Sequence, residues 1–226
     1  MTWNIPNILT VIRLFAAPCV PLVFFLLPRP LADWVALGLF ILAAVTDWFD
    51  GHLARKMNQQ TRFGAMLDPI ADKAMVIISL SVLIALSGMD PWITIPAVII
   101  LFREVFVSGL REFLGSNASL LKVTKLAKWK TTAQMVAIPL LLFSIGLQEV
   151  HFWIYRALDP AEYDALLAQG PQDWNETWRV VQGGWLTGLA GLVMLYVAAF
   201  LTGLSGLDYY RKSLRFLEDE EAAREN

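Results

Sequence analysis

The stretch DWFDGHLARKMNQQTRFGAMLDPIAD, residues 47–72, joins two apolar segments and carries the acidic residues around which the chain is organised. Its four carboxylates are those of Asp47, Asp50, Asp68 and Asp72. A carboxylate beside a hydrocarbon layer is costly unless it is paired or binds a cation, so each of these side chains marks a candidate functional site. Clusters of oxygen ligands suit hard divalent ions. The stretch therefore predicts a site for a divalent ion such as Mg²⁺ or Mn²⁺ at the ends of two membrane helices.

The spacing within the stretch places its carboxylates in two pairs. Asp47 and Asp50 are three residues apart and face one side of a helix if the preceding apolar helix continues through them. Asp68 is predicted as an N-cap with Pro69 as the first helical residue, and Asp72 follows one turn later on the same face. Any single aspartate of this kind is also common as an ordinary cap in a loop. The two pairs together predict that two helix ends close on one metal site.

The composition excludes an ordinary soluble domain. The chain has 226 residues, of which 57% are hydrophobic and 17% charged, and its mean hydropathy is +0.54. Repeated apolar runs of about 20 residues are typical of helices that cross a bilayer. We predict an all-α, polytopic membrane protein with six transmembrane helices and a short N-terminal interfacial helix at residues 3–6. The predicted spans cover residues 8–27, 34 into the acidic stretch, 69–86, 92–113, 131–147 and 184–207.

The distribution of basic residues orients these spans. Loops on one side hold twelve Lys and Arg residues, and loops on the other side hold three. Cytoplasmic loops are enriched in Lys and Arg, so both termini and the acidic stretch are predicted to face the cytoplasm, with the chain in the inner membrane. Arg13, near the start of the first span, is expected to snorkel to the interface. Residues 1–217 are predicted to form one membrane-embedded domain, followed by a flexible acidic tail at residues 218–226.

The longest external loop, residues 148–183, contains one predicted helix. The segment DPAEYDALLAQ begins it with Asp159 as the cap and Pro160 as the first helical residue. This helix is predicted to lie on the membrane surface. The loop is interpreted either as an extracytoplasmic cap without chemistry or as a partner-binding surface.

Basic residues gather at the end of the fourth span and after it. Arg103 and Arg111 are eight residues apart, a little over two helical turns, and therefore share a face of the fourth helix. The lysines that follow are Lys122, Lys125, Lys128 and Lys130. Such residues can anchor anionic lipid headgroups or bind a substrate that carries a phosphate. We predict a phosphate site at Arg111, Lys128 and Lys130, and an anchoring role for the other two lysines.

The acidic stretch also matches a known pattern at every fixed position. The pattern D-x2-D-G-x2-A-R-x8-G-x3-D-x3-D is the signature of the CDP-alcohol phosphotransferase family, which this chain resembles. Outside the stretch, NIPNILTVIR, REVFVSGLREF and KWKTTAQM are similar to the branch of the family that uses glycerol 3-phosphate as the acceptor. These three segments are residues 4–13, 103–113 and 128–135.

The resemblance implies a metal-dependent transferase of phospholipid biosynthesis. Such an enzyme transfers the phosphatidyl group from CDP-diacylglycerol to sn-glycerol 3-phosphate, and it forms phosphatidylglycerophosphate and CMP. The four aspartates are then the metal ligands, and Asp72 is also the candidate general base for the acceptor hydroxyl. Members of the family are typically homodimers, which is the expectation for this chain as well.

The resemblance also implies a donor site and an acceptor site. The residues expected to bind CDP-diacylglycerol are Asn7, Gly51, Ala54, Arg55 and Gly64. Among them the small residues leave room for the cytidine and the diphosphate, and Arg55 contacts a phosphate oxygen. Asn7 has the alternative role of a helix cap. The residues expected to bind glycerol phosphate are Arg111, Lys128 and Lys130.

Two other functions remain as alternatives on the sequence alone. A different acceptor alcohol, inositol phosphate or serine, would keep every aspartate and change only the basic residues. A cation transporter would need acidic groups along a path through the bilayer. The apolar interiors of the predicted spans hold almost no acidic residues, which disfavours transport.

Overall fold

The structure, a computed structural model, describes residues 4–56, 61–115, 125–170 and 176–225. Within these ranges, the side chains of residues 5, 6, 48–56, 125–128 and 215–225 are outside the description. The described residues form α-helices and connecting turns, with no β-strand among them. The helices are α1 (Ile5–Leu26), α2 (Leu31–Lys56), α3 (Arg62–Leu86), α4 (Pro91–Leu114), α5 (Lys125–Ala157), α6 (Pro160–Gln169) and α7 (Glu176–Glu225).

The helices have the length and hydropathy of membrane spans. In the described part of the chain, five segments are long and apolar enough to cross a bilayer: Asn7–Leu26, Arg62–Leu86, Pro91–Leu114, Trp129–Ala157 and Glu176–Leu214. The remaining long helix, α2, has 26 residues and packs along α1. At 1.5 Å per residue it also exceeds the roughly 30 Å of a hydrocarbon core. The prediction of an all-α, polytopic membrane protein is confirmed.

The start of α3 differs from the sequence prediction. The helix begins at Arg62, and Thr61 is its N-cap, with the hydroxyl oxygen accepting a hydrogen bond from the Gly64 amide at 3.0 Å. The predicted cap at Asp68 is therefore wrong, because the Thr61 cap satisfies the first turn seven residues earlier. Asp68 and Pro69 lie inside the helix. The pairing survives this correction, since Asp68 and Asp72 are still one turn apart on one face.

The start of α1 is set by Asn4. Its side-chain oxygen accepts a hydrogen bond from the Asn7 amide at 3.1 Å, so Asn4 is the N-cap and the alternative role of Asn7 as a cap is wrong. Of the predicted interfacial helix, Trp3 lies outside the described residues, and Ile5 and Pro6 already belong to α1.

The helix predicted in the external loop is confirmed as α6, with Asp159 as its N-cap. Its one buried side chain, Tyr163, forms a hydrogen bond with His151 of α5 and an edge contact with Tyr155, at 5.1 Å between ring centroids. These contacts hold α6 against the last turns of α5. That arrangement is consistent with a packed cap.

Close packing of α5 on α7 depends on two glycines. A Cβ atom at Gly188 would lie 2.7 Å from the hydroxyl oxygen of Ser144, and one at Gly191 would lie 2.8 Å from Leu141 Cγ. Small residues let membrane helices approach closely where the lipid supplies no hydrophobic driving force between them. The two helices therefore form one wall of the bundle.

An ion-pair network closes the end of the bundle where α1 joins α2. Arg29 donates two hydrogen bonds to the buried carboxylate of Asp33, at 2.8 and 2.9 Å, and lies 3.1 Å from Glu149 of α5. Burial lowers the pKa of Arg29, but the two carboxylates outweigh burial and the pKa lies above its ordinary value. The network ties the α1–α2 turn to α5.

The opposite end of the bundle collects the remaining buried charges. Because successive spans alternate in direction, the C-terminal halves of α2, α4 and α7 meet the N-terminal halves of α1, α3 and α5 there. Contacts across this end join Arg13 to Asp72, Lys130 to Glu104, and Arg103 to Ser205. The candidate site is built at this end.

Candidate active site

Arg13 holds two of the predicted metal ligands together. Its side chain is only 2% exposed, and the same nitrogen atom, Nη1, donates to Oδ1 of Asp47 on α2 and to Oδ1 of Asp72 on α3. The expectation that Arg13 snorkels to the interface is therefore wrong. Carboxylates from two other helices stabilise its charge inside the bundle, so it does not need to reach the headgroups.

The third described aspartate is positioned by the same helix. Thr10 of α1 donates its hydroxyl to Oδ1 of Asp68 at 2.7 Å, and the threonine side chain is almost fully buried. Thr10 and Arg13 are three residues apart and lie on one face of α1. That face therefore contacts all three described aspartates of the acidic stretch.

Asn7, one turn earlier on α1, contacts the start of α3. Its side-chain oxygen accepts a hydrogen bond from the Thr61 hydroxyl at 2.8 Å and would lie 2.7 Å from a Cβ atom at Gly64. Real Cβ atoms essentially never approach an oxygen so closely. Gly64 thus has a structural reason to be glycine that the sequence did not reveal, since it admits Asn7 into the contact between α1 and α3.

Several predicted site residues lie outside the described side chains. They are Asp50, Gly51, Ala54 and Arg55, on the last turns of α2, and Lys128, on the first turn of α5. Their assignments stay predictions.

The described acids fit a divalent cation by the chemistry of their donor atoms. The carboxylates of Asp47 and Asp72 converge on one nitrogen of Arg13, so their oxygen atoms approach a common positively charged group. Mg²⁺ and Mn²⁺ prefer hard oxygen donors that converge in this way. Among the side chains that the structure describes, His, Cys, Asp and Glu do not gather in groups of three that could hold a metal ion. The four-aspartate metal site, which also needs Asp50, stays a prediction.

A cavity of about 250 Å³ opens beside Asp72, between α3, α4, α5 and α7. Its volume is close to the lower bound of about 300 Å³ for small-molecule sites. The charged groups in its wall are Asp72, Lys73, Arg103, Glu104, Arg111 and Lys130. Four cations against two carboxylates leave an excess of positive charge, which suits a small anionic ligand.

A buried ion cluster forms the floor of this cavity. Glu104 accepts hydrogen bonds from Arg103 at 3.2 Å and from Lys130, and all three side chains are less than a tenth exposed. The cluster therefore pairs one carboxylate with two basic side chains. The prediction placed Lys130 at a phosphate site, and its side chain does line this cavity.

Two further polar contacts complete the cavity wall. Lys73 of α3 donates to the Ser108 hydroxyl of α4 at 2.7 Å. Arg111, the other described residue of the predicted phosphate site, donates to the Tyr209 hydroxyl of α7 at 3.3 Å. Side chains from α3, α4, α5 and α7 therefore surround the space next to Asp72.

Sequence reasoning did not assign Arg13, Lys73 or Arg103 to the site, although a signal existed. Apart from Arg111 at the end of the fourth span, these three are the Lys and Arg residues inside the predicted spans. Ionisable groups at membrane depth are rare and face the interior of a bundle, so their position in the spans alone marked them as candidates.

The chain matches one protein family over most of its length. The model of the CDP-alcohol phosphatidyltransferase family matches residues 3–159, which include every predicted site residue.

Curated relatives extend the similarity to nearly the whole chain. The CDP-diacylglycerol–glycerol-3-phosphate 3-phosphatidyltransferase of Cereibacter sphaeroides is 54% identical over 221 residues, which are 98% of this chain and 100% of that protein. The protein of the same name from Wigglesworthia glossinidia brevipalpis is 39% identical over 213 residues, 93% of this chain and 94% of that protein. That of Escherichia coli strain K12 is 47% identical over 146 residues, 63% of this chain and 79% of that protein.

Proposed function

The chain belongs to the CDP-alcohol phosphatidyltransferase family, and on this premise we propose that it transfers the phosphatidyl group of CDP-diacylglycerol to sn-glycerol 3-phosphate. The products are phosphatidylglycerophosphate and CMP, and the reaction is a step of phospholipid biosynthesis. Relatives that carry this activity in their names align over 93–98% of the chain, which supports the acceptor as well as the reaction class.

The position of Asp72 is the structural observation that carries the proposal. Its side chain contacts Arg13 and Asp47 on one side and borders the basic cavity on the other. The diphosphate of the donor, bound at the aspartates, and the phosphate of the acceptor, bound in the cavity, would thus lie on either side of the Asp72 carboxylate. A phosphate-transfer reaction between two anionic substrates needs such an arrangement of opposite charges.

In the proposed reaction, Asp72 takes the proton from the primary hydroxyl of glycerol 3-phosphate. The hydroxyl oxygen attacks the phosphorus that carries diacylglycerol, a new P–O bond forms, and the bond to the CMP oxygen breaks with both electrons on that oxygen. Arg111, Lys130 and Lys128 hold the phosphate of the acceptor, so its hydroxyl is presented to Asp72. Lys73 and Arg103 add positive charge to the same wall.

The family is generally divalent-metal dependent, and for this chain the proposed ligands are Asp47, Asp50, Asp68 and Asp72. One or two Mg²⁺ or Mn²⁺ ions there would neutralise the diphosphate and the charge that develops on the leaving CMP. Arg13 holds the carboxylates of Asp47 and Asp72 close together. Preorganised acids reduce the entropic cost of gathering ligands around an ion.

The donor site is proposed at the aspartate end of α1, α2 and α3. We assign Asn7, Gly51, Ala54, Arg55 and Gly64 to CDP-diacylglycerol, whose acyl chains stay in the bilayer while its diphosphate reaches the aspartates. The membrane-embedded fold agrees with a lipid substrate.

The proposed setting is the bacterial inner membrane, with residues 1–217 as one domain. The excess of Lys and Arg in the loops at the aspartate end favours a cytoplasmic orientation of the site and of both termini. A homodimer is proposed on the family resemblance.

An acceptor panel tests the proposal. Purified protein in detergent is incubated with CDP-diacylglycerol and glycerol 3-phosphate, inositol phosphate or serine, and CMP release is followed with Mg²⁺, with Mn²⁺ and with a chelator. We expect CMP to form only with glycerol 3-phosphate and a divalent ion. Equal turnover with another alcohol would replace the acceptor, and turnover in excess chelator would remove the metal from the mechanism.

A further inference from the structure

Tyr209, on the last membrane helix, contacts both arginines of the cavity. The guanidinium carbon of Arg103 lies 5.6 Å from the centre of the Tyr209 ring, and that of Arg111 lies 5.5 Å from it. Both distances are within the reach of a cation–π interaction. The tyrosine is only 4% exposed, and it also accepts the hydrogen bond from Arg111 at its hydroxyl oxygen.

From these contacts we propose that Tyr209 is a positioning residue for the acceptor phosphate, which it serves by orienting Arg103 and Arg111. The inference rests on the proposed function, because it concerns the site that binds glycerol 3-phosphate. It adds α7 to the elements that determine acceptor binding, which neither the acidic stretch nor the basic segment after α4 indicates.

A neutral aromatic ring is suited to this role for an electrostatic reason. Two arginines on one face of α4 repel each other, and a carboxylate between them would hold them in place but would also cancel the charge that a phosphate needs. The Tyr209 ring contacts both guanidinium groups and its hydroxyl oxygen accepts a hydrogen bond from Arg111, and neither contact adds a negative charge beyond that of Glu104. Among the described residues, Arg111 forms no ion pair with a carboxylate, so its charge is available to a ligand.

The neighbouring residues of α7 fit the same role. Ser205, one turn before Tyr209, accepts a hydrogen bond from Arg103 at 3.0 Å. Gly206 lies between them in the sequence, and a Cβ atom there would meet Arg103 Cγ at 3.0 Å. The arginine therefore lies directly against the backbone of α7. In this helix, Ser205, Gly206 and Tyr209 form a surface that accommodates the Arg103 side chain.

The test compares Tyr209 with its neighbour in the sequence. Tyr210 is 43% exposed and contacts the ring of Phe106, so Tyr210→Leu is a matched control outside the cavity. Steady-state CMP release gives KM for each substrate, and titration calorimetry gives the affinity for glycerol 3-phosphate without turnover. We expect Tyr209→Leu to raise the acceptor KM and Kd roughly tenfold or more. The KM for CDP-diacylglycerol and kcat should change less than about threefold, and Tyr210→Leu should match the wild type.

A second variant separates positioning through Arg111 from direct contact with the substrate. Tyr209→Phe keeps the ring and removes the hydroxyl acceptor, so we expect the acceptor KM to rise about threefold. In an Arg111→Ala background the same change should have no further effect, because the group that the hydroxyl orients is gone. If Tyr209→Leu fails to accumulate in the membrane, Tyr209→Phe in the wild-type and Arg111→Ala backgrounds still tests the inference. An undiminished effect of Tyr209→Phe without Arg111, or an unchanged acceptor KM in both Tyr209 variants, would overturn the inference.

Failure of the proposed function gives a different result. In that case the wild-type protein itself would neither release CMP with glycerol 3-phosphate nor bind it. If the wild type binds the acceptor and the Tyr209 variants have the same acceptor KM and Kd as the wild type, the proposed function stands. In that case the positioning role of Tyr209 is wrong.

Discussion

Replacing Gly64 with alanine tests how α1 and α3 come together at the site. The new Cβ atom would lie 2.7 Å from Asn7 Oδ1, about 0.7 Å inside the 3.4 Å at which ordinary contacts begin. Overpacking of this kind costs about 1–3 kcal/mol, and the higher helix propensity of alanine returns about 0.5–1 kcal/mol. The midpoints of these ranges leave a net loss of about 1 kcal/mol, which corresponds to a fall of about 2–4 °C in the thermal midpoint.

The matched control is Gly38→Ala on α2. No atom lies within 4 Å of the Cβ position at Gly38, so the substitution should leave the thermal midpoint unchanged or raise it slightly. Both variants and the wild type are purified in one detergent, and the loss of folded protein on heating is followed. CMP release at saturating glycerol 3-phosphate then gives the KM for CDP-diacylglycerol.

The double variant of Gly64→Ala with Asn7→Ala tests whether the contact with Asn7 causes the loss of stability. Shortening Asn7 removes the atom that the new Cβ meets, so Gly64→Ala should cost almost nothing in that background, and the coupling energy should reach about 1 kcal/mol. A loss of stability that is equal in both backgrounds would refute the reasoning. A stable Gly64→Ala with a raised KM for CDP-diacylglycerol would instead favour the sequence-based interpretation, in which Gly64 leaves room for the donor.

Three further predictions concern charged groups. Asp72→Asn should lower kcat by about 10³-fold or more, because the amide cannot accept the proton, while the protein still inserts; near-normal CMP release would remove Asp72 from the role of base. Arg111→Ala should raise the KM for glycerol 3-phosphate by about 10–100-fold and that for the donor far less, as one charge-assisted hydrogen bond is lost; an unchanged acceptor KM would return Arg111 to membrane anchoring. Asp33→Asn should lower the thermal midpoint and leave the turnover per folded molecule unchanged, because it removes one carboxylate partner of Arg29 at the end of the bundle far from the site. The expected cost is about 2 kcal/mol, below that of a fully buried pair, because Arg29 is about one-third exposed. A loss of turnover without a loss of stability would contradict this separation.

Along the chain, local patterns were sufficient to predict most of the architecture. Apolar runs predicted helices of spanning length, and Asp159 with Pro160 predicted the start of α6, because hydropathy and capping depend on neighbouring residues. The same kind of reasoning placed the start of α3 wrongly at Pro69. Two plausible caps lay seven residues apart, and only the folded chain selects Thr61, whose hydroxyl also reaches Asn7.

Some features of the candidate site can also be predicted from the sequence, and others are visible only in the tertiary structure. The sequence by itself determined the spacing of the aspartates and of the basic residues near Arg111, and from that spacing it predicts which residues carry the chemistry. Only the tertiary structure decided that Arg13 joins Asp47 to Asp72 and that Tyr209 lies against Arg103 and Arg111. The physical reason is that such contacts depend on the rotation and depth of each helix relative to its neighbours, which are set by packing across the bundle rather than by any periodicity along one helix.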